Sequence, residues 1–186
     1  MRLVLASASP RRRELLAAAG FEFDVATADV DESRRPDEAP AAYVSRLARE
    51  KAEVVAERFP DRPVLGADTV VVAGGHVMGK PCNAEEARLM LRRLSGATHE
   101  VLTGVALCWA GQLHEDVERT VVWMGALSEA EVAWYVASGE PADKAGGYAI
   151  QGLGSRFIPR IEGSYSNVVG LPVATVLQLL RRAGLS

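Results

Sequence analysis

The feature that most constrains this fold is a pair of long apolar segments joined by a tight turn. Residues 101–109 and 112–124 are rich in Val, Leu, Thr and Trp, and only Ala110 and Gly111 separate them. Strands joined by so short a turn run antiparallel, which excludes a strictly parallel βαβ repeat. Apolar spacing and N-terminal caps elsewhere predict helices that begin near Pro10, Ala41, Asn83, Ser128 and Val173. The sequence therefore predicts an α/β fold with a mixed twisted sheet flanked by helices.

The overall composition narrows the partners that the protein can have. The chain has 186 residues, of which 48% are hydrophobic and 24% charged, so it can bury a core, and we expect one domain over residues 1–186. The formal net charge of -3 argues against broad electrostatic binding to nucleic acid or to anionic membranes. No apolar run approaches the length of a transmembrane helix, and we expect a cytoplasmic protein. Cys82 and Cys108 lack metal-binding spacing and are expected to be reduced structural thiols.

The first candidate site is the turn after the first predicted strand. Ser7 and Ser9 lie in this turn, and Ser9 is a good N-cap for a helix that begins at Pro10. Arg11 and Arg12 follow, although cations in the first turn oppose the helix dipole at a cost of about 0.3–1 kcal/mol each. Guanidinium groups, hydroxyls and free backbone N–H groups match phosphate oxygens. An anion-binding site is therefore favoured over an ordinary capped helix with a solvated basic turn.

Asp68 is the second candidate, because it follows a short strand predicted over residues 64–67. A carboxylate at the carboxyl end of a strand faces the crevice where α/β proteins bind ligands, and it can hold Mg²⁺ or orient a water molecule. A turn or capping role for Asp68 fits the local sequence equally well. Glu32, in the acidic loop at residues 29–40, could be a second carboxylate, although such loops are more often simply solvated.

Two lysines and a glycine-rich loop complete the candidates. Residues 74–81 nearly match a phosphate-binding P-loop, but Pro81 replaces the required hydroxyl and no strand–loop–helix context surrounds it, so this interpretation is rejected. Lys80 alone could still reach a phosphate, as could Lys51, although a lysine late in an amphipathic helix usually faces solvent. Gln151 lies in a glycine-rich stretch and offers a donor and an acceptor for reading a base edge; the alternative is a surface glutamine on a turn.

Taken together, these segments resemble the Maf family of nucleotide pyrophosphatases. The segments are Leu5-Ala6-Ser7-Ala8-Ser9-Pro10-Arg11-Arg12, Gly66-Ala67-Asp68-Thr69-Val70-Val71, Gly79-Lys80-Pro81, Thr103-Gly104-Val105, Asp143-Lys144-Ala145-Gly146-Gly147-Tyr148 with Ile150-Gln151-Gly152, and Val169-Gly170-Leu171-Pro172. Most are weak alone, but their order and spacing are specific, and the match covers nearly the whole chain. The resemblance implies a Maf/ITPase-like α/β fold with a cleft between two lobes, a divalent cation and a homodimer.

The resemblance also implies roles for individual residues. Asp68 would be the catalytic acid/base and, with Glu32, would hold Mg²⁺ or Mn²⁺. The phosphate-binding positions would be Ser7, Arg12, Lys51 and Lys80. The positions that select the base would be Arg11, Thr69 and Gln151. This combination is similar to that of the branch acting on dTTP and UTP, whereas the branch acting on 7-methyl-GTP typically has a Trp where Arg11 stands.

Two alternatives remain open from the sequence. The protein could be a non-catalytic nucleotide-binding regulator of cell division. Asp68, Glu32 and the two lysines favour an enzyme, because binding alone does not require a carboxylate that positions water. The substrate could also be a modified pyrimidine triphosphate or inosine triphosphate, since one Gln that reads a base edge does not exclude substituents at the pyrimidine C5 position.

Overall fold

The computed structural model describes residues 2–185, which form seven strands in one mixed sheet together with six α-helices. The strands are β1 Leu3–Leu5, β2 Phe23–Val25, β3 Val64–Ala73, β4 His76–Met78, β5 Thr98–Trp109, β6 Gln112–Trp123 and β7 Arg160–Glu162. The helices are α1 Pro10–Ala18, α2 Pro40–Ala56, α3 Ala84–Leu94, α4 Glu129–Ala137, α5 Tyr165–Val169 and α6 Val173–Arg182. Within the described range, none of these helices has the length and apolar character of a membrane span.

The sheet combines parallel and antiparallel pairs. Its strand order is β2-β1-β3-β5-β6-β7, and β4 pairs with β3 beside this path. β1 runs parallel to β2 and β3, whereas β4 and β7 run antiparallel to β3 and β6. The turn at Ala110 and Gly111, both with positive φ, joins β5 to β6 as the sequence predicts. The prediction of a mixed α/β sheet flanked by helices is confirmed.

The described residues divide into two compact units, each with its own hydrophobic core. The first unit comprises the chain up to Thr69, residues Thr103–Glu118 and the chain from Gly170 onward. The second unit comprises Val70–Leu102 and Arg119–Val169. The core of the first unit includes Leu3, Leu5, Leu16, Leu65, Leu107, Leu171 and Leu179. The core of the second unit includes Val71, Leu91, Leu94, Val101, Val122, Val132 and Tyr135.

Helix α2 lies unusually close to the sheet in the first unit because two strand residues have no side chain. A Cβ atom at Gly66 of β3 would lie 2.1 Å from the carbonyl oxygen of Ala48. A Cβ atom at Gly104 of β5 would lie 2.2 Å from the carbonyl oxygen of Val44. Only glycine permits this approach of helix and strand backbones. The approach brings Lys51, one turn after Ala48, to the part of β3 that follows Gly66.

Two details differ from the sequence prediction. The sequence predicts a short strand over residues 64–67 that ends in Asp68 and Thr69, with strand again over residues 70–72. In the structure β3 runs without a break from Val64 to Ala73, so Asp68 lies in mid-strand. The polar side chains of Asp68 and Thr69 are tolerated there because Lys51 and Arg12 hydrogen-bond to them. The glycine-rich segment that carries Gln151 is also more regular than the loop expected from the sequence, because residues 143–170 contain 3-10 turns as well as β7 and α5.

Candidate active site

The centre of the candidate site is a lysine between two carboxylates. Lys51 Nζ lies 2.7 Å from Asp68 Oδ1 and 2.6 Å from Glu32 Oε1. The side chains of Lys51 and Asp68 are only 11% and 13% exposed, whereas that of Glu32 is 62% exposed. Ammonium and carboxylate groups with so little access to water require partners, because desolvation of an unpaired charge is very costly. One cation between two anions leaves a net negative group that is open to solvent on the Glu32 side.

The burial of Lys51 removes the alternative that this lysine faces solvent. Lys51 lies on the same stripe of α2 as Val44, Leu47 and Val55, which are all buried. A charged residue in an apolar stripe of a helix is a signal that can be recognised in the sequence. The buried ammonium group instead binds the Asp68 carboxylate.

Arg12 joins the first turn of α1 to the strand that carries Asp68. Its Nη1 donates to Ser7 Oγ at 3.1 Å and to the carbonyl oxygen of Ala67 at 2.8 Å. Its Nε donates to the carbonyl oxygen of Gly170 at 2.8 Å, and its Nη2 donates to Thr69 Oγ1 at 3.0 Å. Burial lowers the pKa of Arg12, and the nearby Asp68 carboxylate opposes that effect. Four of its hydrogen bonds thus go to the protein itself, which makes Arg12 a tether for the site.

The hydroxyl of Thr69 is held in the same cluster as Arg12. Thr69 Oγ1 lies 2.9 Å from Thr103 Oγ1 and 3.2 Å from the carbonyl oxygen of Gly170. Ser7 Oγ also accepts from the backbone N–H of Ser9, at 3.3 Å. The cluster therefore fixes Thr69, which follows Asp68, and Ser7, which lies in the turn after β1.

The acidic loop is fixed by two side chains of α2 that the sequence analysis did not single out as functional. Tyr43 Oη donates to the carbonyl oxygen of Glu32 at 2.7 Å, and Arg46 Nη2 donates to that of Ser33 at 3.0 Å. Burial and the carboxylates of Asp68 and Glu32 raise the pKa of Tyr43, so its hydroxyl remains a donor. Arg46 gives no local sequence signal, since an arginine in a helix is usually solvated.

The structure brings together six of the predicted site residues in the first unit, namely Ser7, Arg12, Glu32, Lys51, Asp68 and Thr69. Arg11 lies in the first turn of α1 in the same unit and is partly exposed. Lys80 and Gln151 belong to the second unit, where both are exposed.

The segment that carries Gln151 is held by hydrogen bonds to the Glu140 carboxylate. The Glu140 carboxylate accepts from the backbone N–H groups of Leu153 and Gly154, both at 2.9 Å, and from Tyr135 Oη at 2.8 Å. These hydrogen bonds lower the pKa of Glu140 despite the opposing effect of its burial, which is the largest single influence. The 3-10 turn Gly152–Phe157 that follows Gln151 is thus anchored by a charged side chain.

The donor set at Lys51 suits a divalent cation that is completed by its substrate. Within residues 2–185, no group of three or more His, Cys, Asp or Glu side chains is arranged to hold a metal ion. Asp68 and Glu32 supply two carboxylates that already converge on one cationic atom, Lys51 Nζ. Mg²⁺ prefers oxygen ligands and usually binds through one or two carboxylates, with water and substrate phosphates as the remaining ligands. The two carboxylates fit that pattern.

Comparison with known proteins assigns the family. The model of the Maf-like protein family matches residues 2–183, so the chain belongs to that family. A dTTP/UTP pyrophosphatase of Myxococcus xanthus (strain DK1622) is 60% identical over 98% of this chain and 93% of its own length. A dTTP/UTP pyrophosphatase of Hahella chejuensis (strain KCTC 2396) is 55% identical over 99% of this chain and 93% of its own length. Among solved structures, a HAM1 protein from Coxiella burnetii superposes with a TM-score of 0.44 at 16% identity, covering 67% of this chain and 73% of that chain.

Proposed function

We propose that this protein hydrolyses dTTP and UTP to the nucleoside monophosphate and pyrophosphate. The observation that carries the proposal is the convergence of the Asp68 and Glu32 carboxylates on the buried ammonium group of Lys51. Two relatives, which are 60% and 55% identical to this protein over nearly its whole length, bear the name of this activity. A site for a non-catalytic nucleotide regulator would not require a carboxylate beside a lysine in this arrangement.

In the proposed reaction, Asp68 accepts a proton from the water molecule that attacks the α-phosphorus. The bond between the α-phosphorus and the bridging oxygen breaks, and pyrophosphate leaves with that oxygen. Lys51 fixes the orientation of the Asp68 carboxylate and neutralises charge that develops on the phosphoryl oxygens. When bound by Asp68 and Glu32, Mg²⁺ or Mn²⁺ would supply further positive charge to the phosphates.

The remaining predicted residues have binding roles in this proposal. Ser7, Arg12 and the first turn of α1 supply hydroxyl, guanidinium and backbone N–H donors for the triphosphate, and Arg12 also holds that turn against β3. Lys51 and Lys80 are the cationic phosphate ligands. The residues proposed to select the base are Arg11, Thr69 and Gln151. We further propose that the chain acts as one Maf-like domain over residues 1–186 in the cytoplasm, and that it forms a homodimer, as the family resemblance implies.

The test is pyrophosphate release from a panel of canonical and modified nucleoside triphosphates, with Mg²⁺ or Mn²⁺. Selective turnover of dTTP and UTP is expected. Asp68→Asn should lower kcat by about 10²-fold or more, since general base catalysis contributes 10²–10⁴-fold in typical enzymes. Asp61→Asn, at an exposed aspartate of the same unit, is the control and should keep the wild-type rate. Folded protein that turns over no triphosphate would contradict the proposal and favour the nucleotide-binding regulator.

A further inference from the structure

Arg46 is a buried cation for which the proposed reaction has no direct use. Its side chain is 6% exposed, and along α2 it stands between the buried residues Val44 and Leu47. Its Nε and Nη2 donate to the two carboxylate oxygens of Glu38 at 2.7 and 2.9 Å. Its Nη1 lies 3.2 Å from a carboxylate oxygen of Glu50. A bidentate pair of this kind is both strong and specific in direction, because the guanidinium fork is planar.

Two of the groups that Arg46 binds belong to the acidic loop and not to its own helix. In the structure this loop spans residues 29–39, because α2 begins at Pro40, and it contains neither helix nor strand. Arg46 binds it through the Glu38 carboxylate and, at 3.0 Å, through the carbonyl oxygen of Ser33. Glu38 in turn accepts from the backbone N–H of Arg35 at 3.0 Å. The bonds to Arg46 lower the pKa of Glu38 to about 2, so the pair stays charged at neutral pH.

Glu32 directly precedes Ser33, the loop residue whose carbonyl oxygen Arg46 binds. Its side chain is largely exposed, although its Oε1 lies 2.6 Å from Lys51 Nζ. Ion pairs with an exposed partner contribute little, and ordering a flexible loop costs conformational entropy. A salt bridge to so exposed a carboxylate therefore contributes little to the order of the loop. The hydrogen bonds from Tyr43 and from buried Arg46, to the carbonyl oxygens of Glu32 and Ser33, constrain the loop backbone at two successive residues.

We propose that Arg46 is a positioning residue that holds the acidic loop so that the Glu32 carboxylate faces Lys51 and Asp68. The loop geometry follows from the contacts alone, whereas the consequence for catalysis rests on the function proposed above. A lysine at this position cannot replace the arginine, because it lacks the fork that engages Glu38 and Ser33 together. Tyr43 also holds the acidic loop, through its hydrogen bond to the carbonyl oxygen of Glu32.

The test uses Arg46→Lys, which keeps the charge, and Arg49→Lys as the matched control on the same helix. Arg49 is more exposed and lies 3.9 Å from Glu115, outside the loop contacts. In metal-free protein without nucleotide, hydrogen exchange of residues 29–39 should accelerate in Arg46→Lys and stay unchanged in Arg49→Lys. The dissociation constant for Mn²⁺, measured by electron paramagnetic resonance, should rise by about 10–100-fold in Arg46→Lys, as for other residues that orient metal ligands. Unchanged loop exchange or unchanged Mn²⁺ affinity would overturn the proposal.

A double-mutant cycle separates a positioning role from a general structural one. Arg46→Lys should lower kcat/KM by about 10–100-fold when Glu32 is present. In the Glu32→Gln background the same change should cost less than about twofold, because the two residues act as one unit. Equal losses in both backgrounds would show that Arg46 does not act through Glu32. If Arg46→Lys does not fold, as judged by circular dichroism, Tyr43→Phe tests the same cycle with a smaller expected loss.

The cycle also separates failure of this inference from failure of the proposed function. If Glu32→Gln and Asp68→Asn lower turnover but Arg46→Lys changes neither turnover nor loop exchange, the positioning role is wrong and the proposed function stands. If wild-type protein turns over no triphosphate while Arg46→Lys alters loop exchange and Mn²⁺ affinity as expected, the proposed function is wrong and the positioning role stands. If Glu32→Gln and Asp68→Asn leave turnover intact, the catalytic roles proposed for these two residues are wrong whatever the loop does.

Discussion

Replacing Gly66 by alanine tests whether the close approach of α2 to β3 sets the position of Lys51. The added Cβ atom would lie 2.1 Å from the carbonyl oxygen of Ala48 and 2.8 Å from the backbone nitrogen of Ala52. Both are backbone atoms of α2, so no side-chain rotation relieves the contact. An ordinary contact begins near 3.4 Å, so the helix has to move by about 1 Å. Since Lys51 lies between Ala48 and Ala52, it moves with the helix.

The cost of that movement can be estimated from packing. Overpacking a well-packed core costs about 1–3 kcal/mol, and a backbone clash of this size belongs at the upper end, at about 3 kcal/mol. For a chain of 186 residues, 1 kcal/mol corresponds to about 2–4 °C in Tm, so Gly66→Ala should melt about 6–12 °C lower. A displacement of about 1 Å at a catalytic contact can lower the rate by about 10²-fold. The variant should therefore lose most of its turnover even at temperatures where it is folded.

The assay is thermal melting by circular dichroism together with pyrophosphate release from dTTP at 25 °C. Gly125→Ala is the control, because its Cβ atom would meet only the carbonyl oxygen of Phe157, at an ordinary 3.6 Å. The control should change Tm by no more than about 2 °C and keep its rate. A Gly66→Ala protein that melts like wild type and keeps its rate would refute the packing argument.

Three further predictions concern other parts of the chain. Burial lowers the pKa of His99 to about 4, so between pH 6.5 and 5 only the unfolded chain gains a proton at this residue. The free energy of unfolding should therefore fall by about 2 kcal/mol as the pH falls through that window, and urea titrations of His99→Gln should not show this decrease. Glu140→Ala leaves the N–H groups of Leu153 and Gly154 without their acceptor, which should lower the free energy of unfolding in urea by about 1–3 kcal/mol and raise KM for dTTP. Glu140→Gln should change both the free energy of unfolding and KM by less. Burial raises the pKa of Cys108 to about 11, so a disulfide reagent should react with exposed Cys82 in native protein and with Cys108 only after denaturation. Equal reaction rates of the two thiols in native protein would contradict this.

Local chemistry made several elements predictable from the sequence. Ser128 and Glu131 form the expected reciprocal cap of α4, and Ser9 accepts from Arg12 N at the start of α1. The helix expected from Val173 to Arg182 has those bounds in the structure. These features depend on hydrogen bonds or apolar spacing within a few residues, so neighbouring residues suffice to specify them.

Features that depend on distant partners were not predictable in this way. The sequence predicts an interruption of the strand at Asp68 and Thr69, and acidic residues are depleted in strand interiors. The strand continues because its polar groups are satisfied from other elements: Lys51 reaches Asp68 across 17 positions, and Arg12 reaches Thr69 across 57. The anchoring of the loop by Arg46 likewise involves contacts that no local pattern encodes.

The site itself was only partly predictable from residue patterns. The resemblance to the Maf family named Lys51 as a functional residue, and its place on the apolar stripe of α2 is an independent physical reason for the same conclusion. Glu32 was predicted only through that resemblance, because an acidic residue in a polar loop has no distinguishing pattern. Its contact with Lys51 depends on how residues 29–39 fold back onto α2.

The most direct test of the account is hydrolysis of dTTP in water enriched in ¹⁸O, with mass spectrometry of both products. Attack of water on the α-phosphorus predicts that the label enters dTMP and that pyrophosphate stays unlabelled. Asp68→Asn should form labelled dTMP at least about 10²-fold more slowly than wild type under the same conditions. Label in pyrophosphate or in inorganic phosphate, or an unchanged rate in Asp68→Asn, would contradict the proposed reaction.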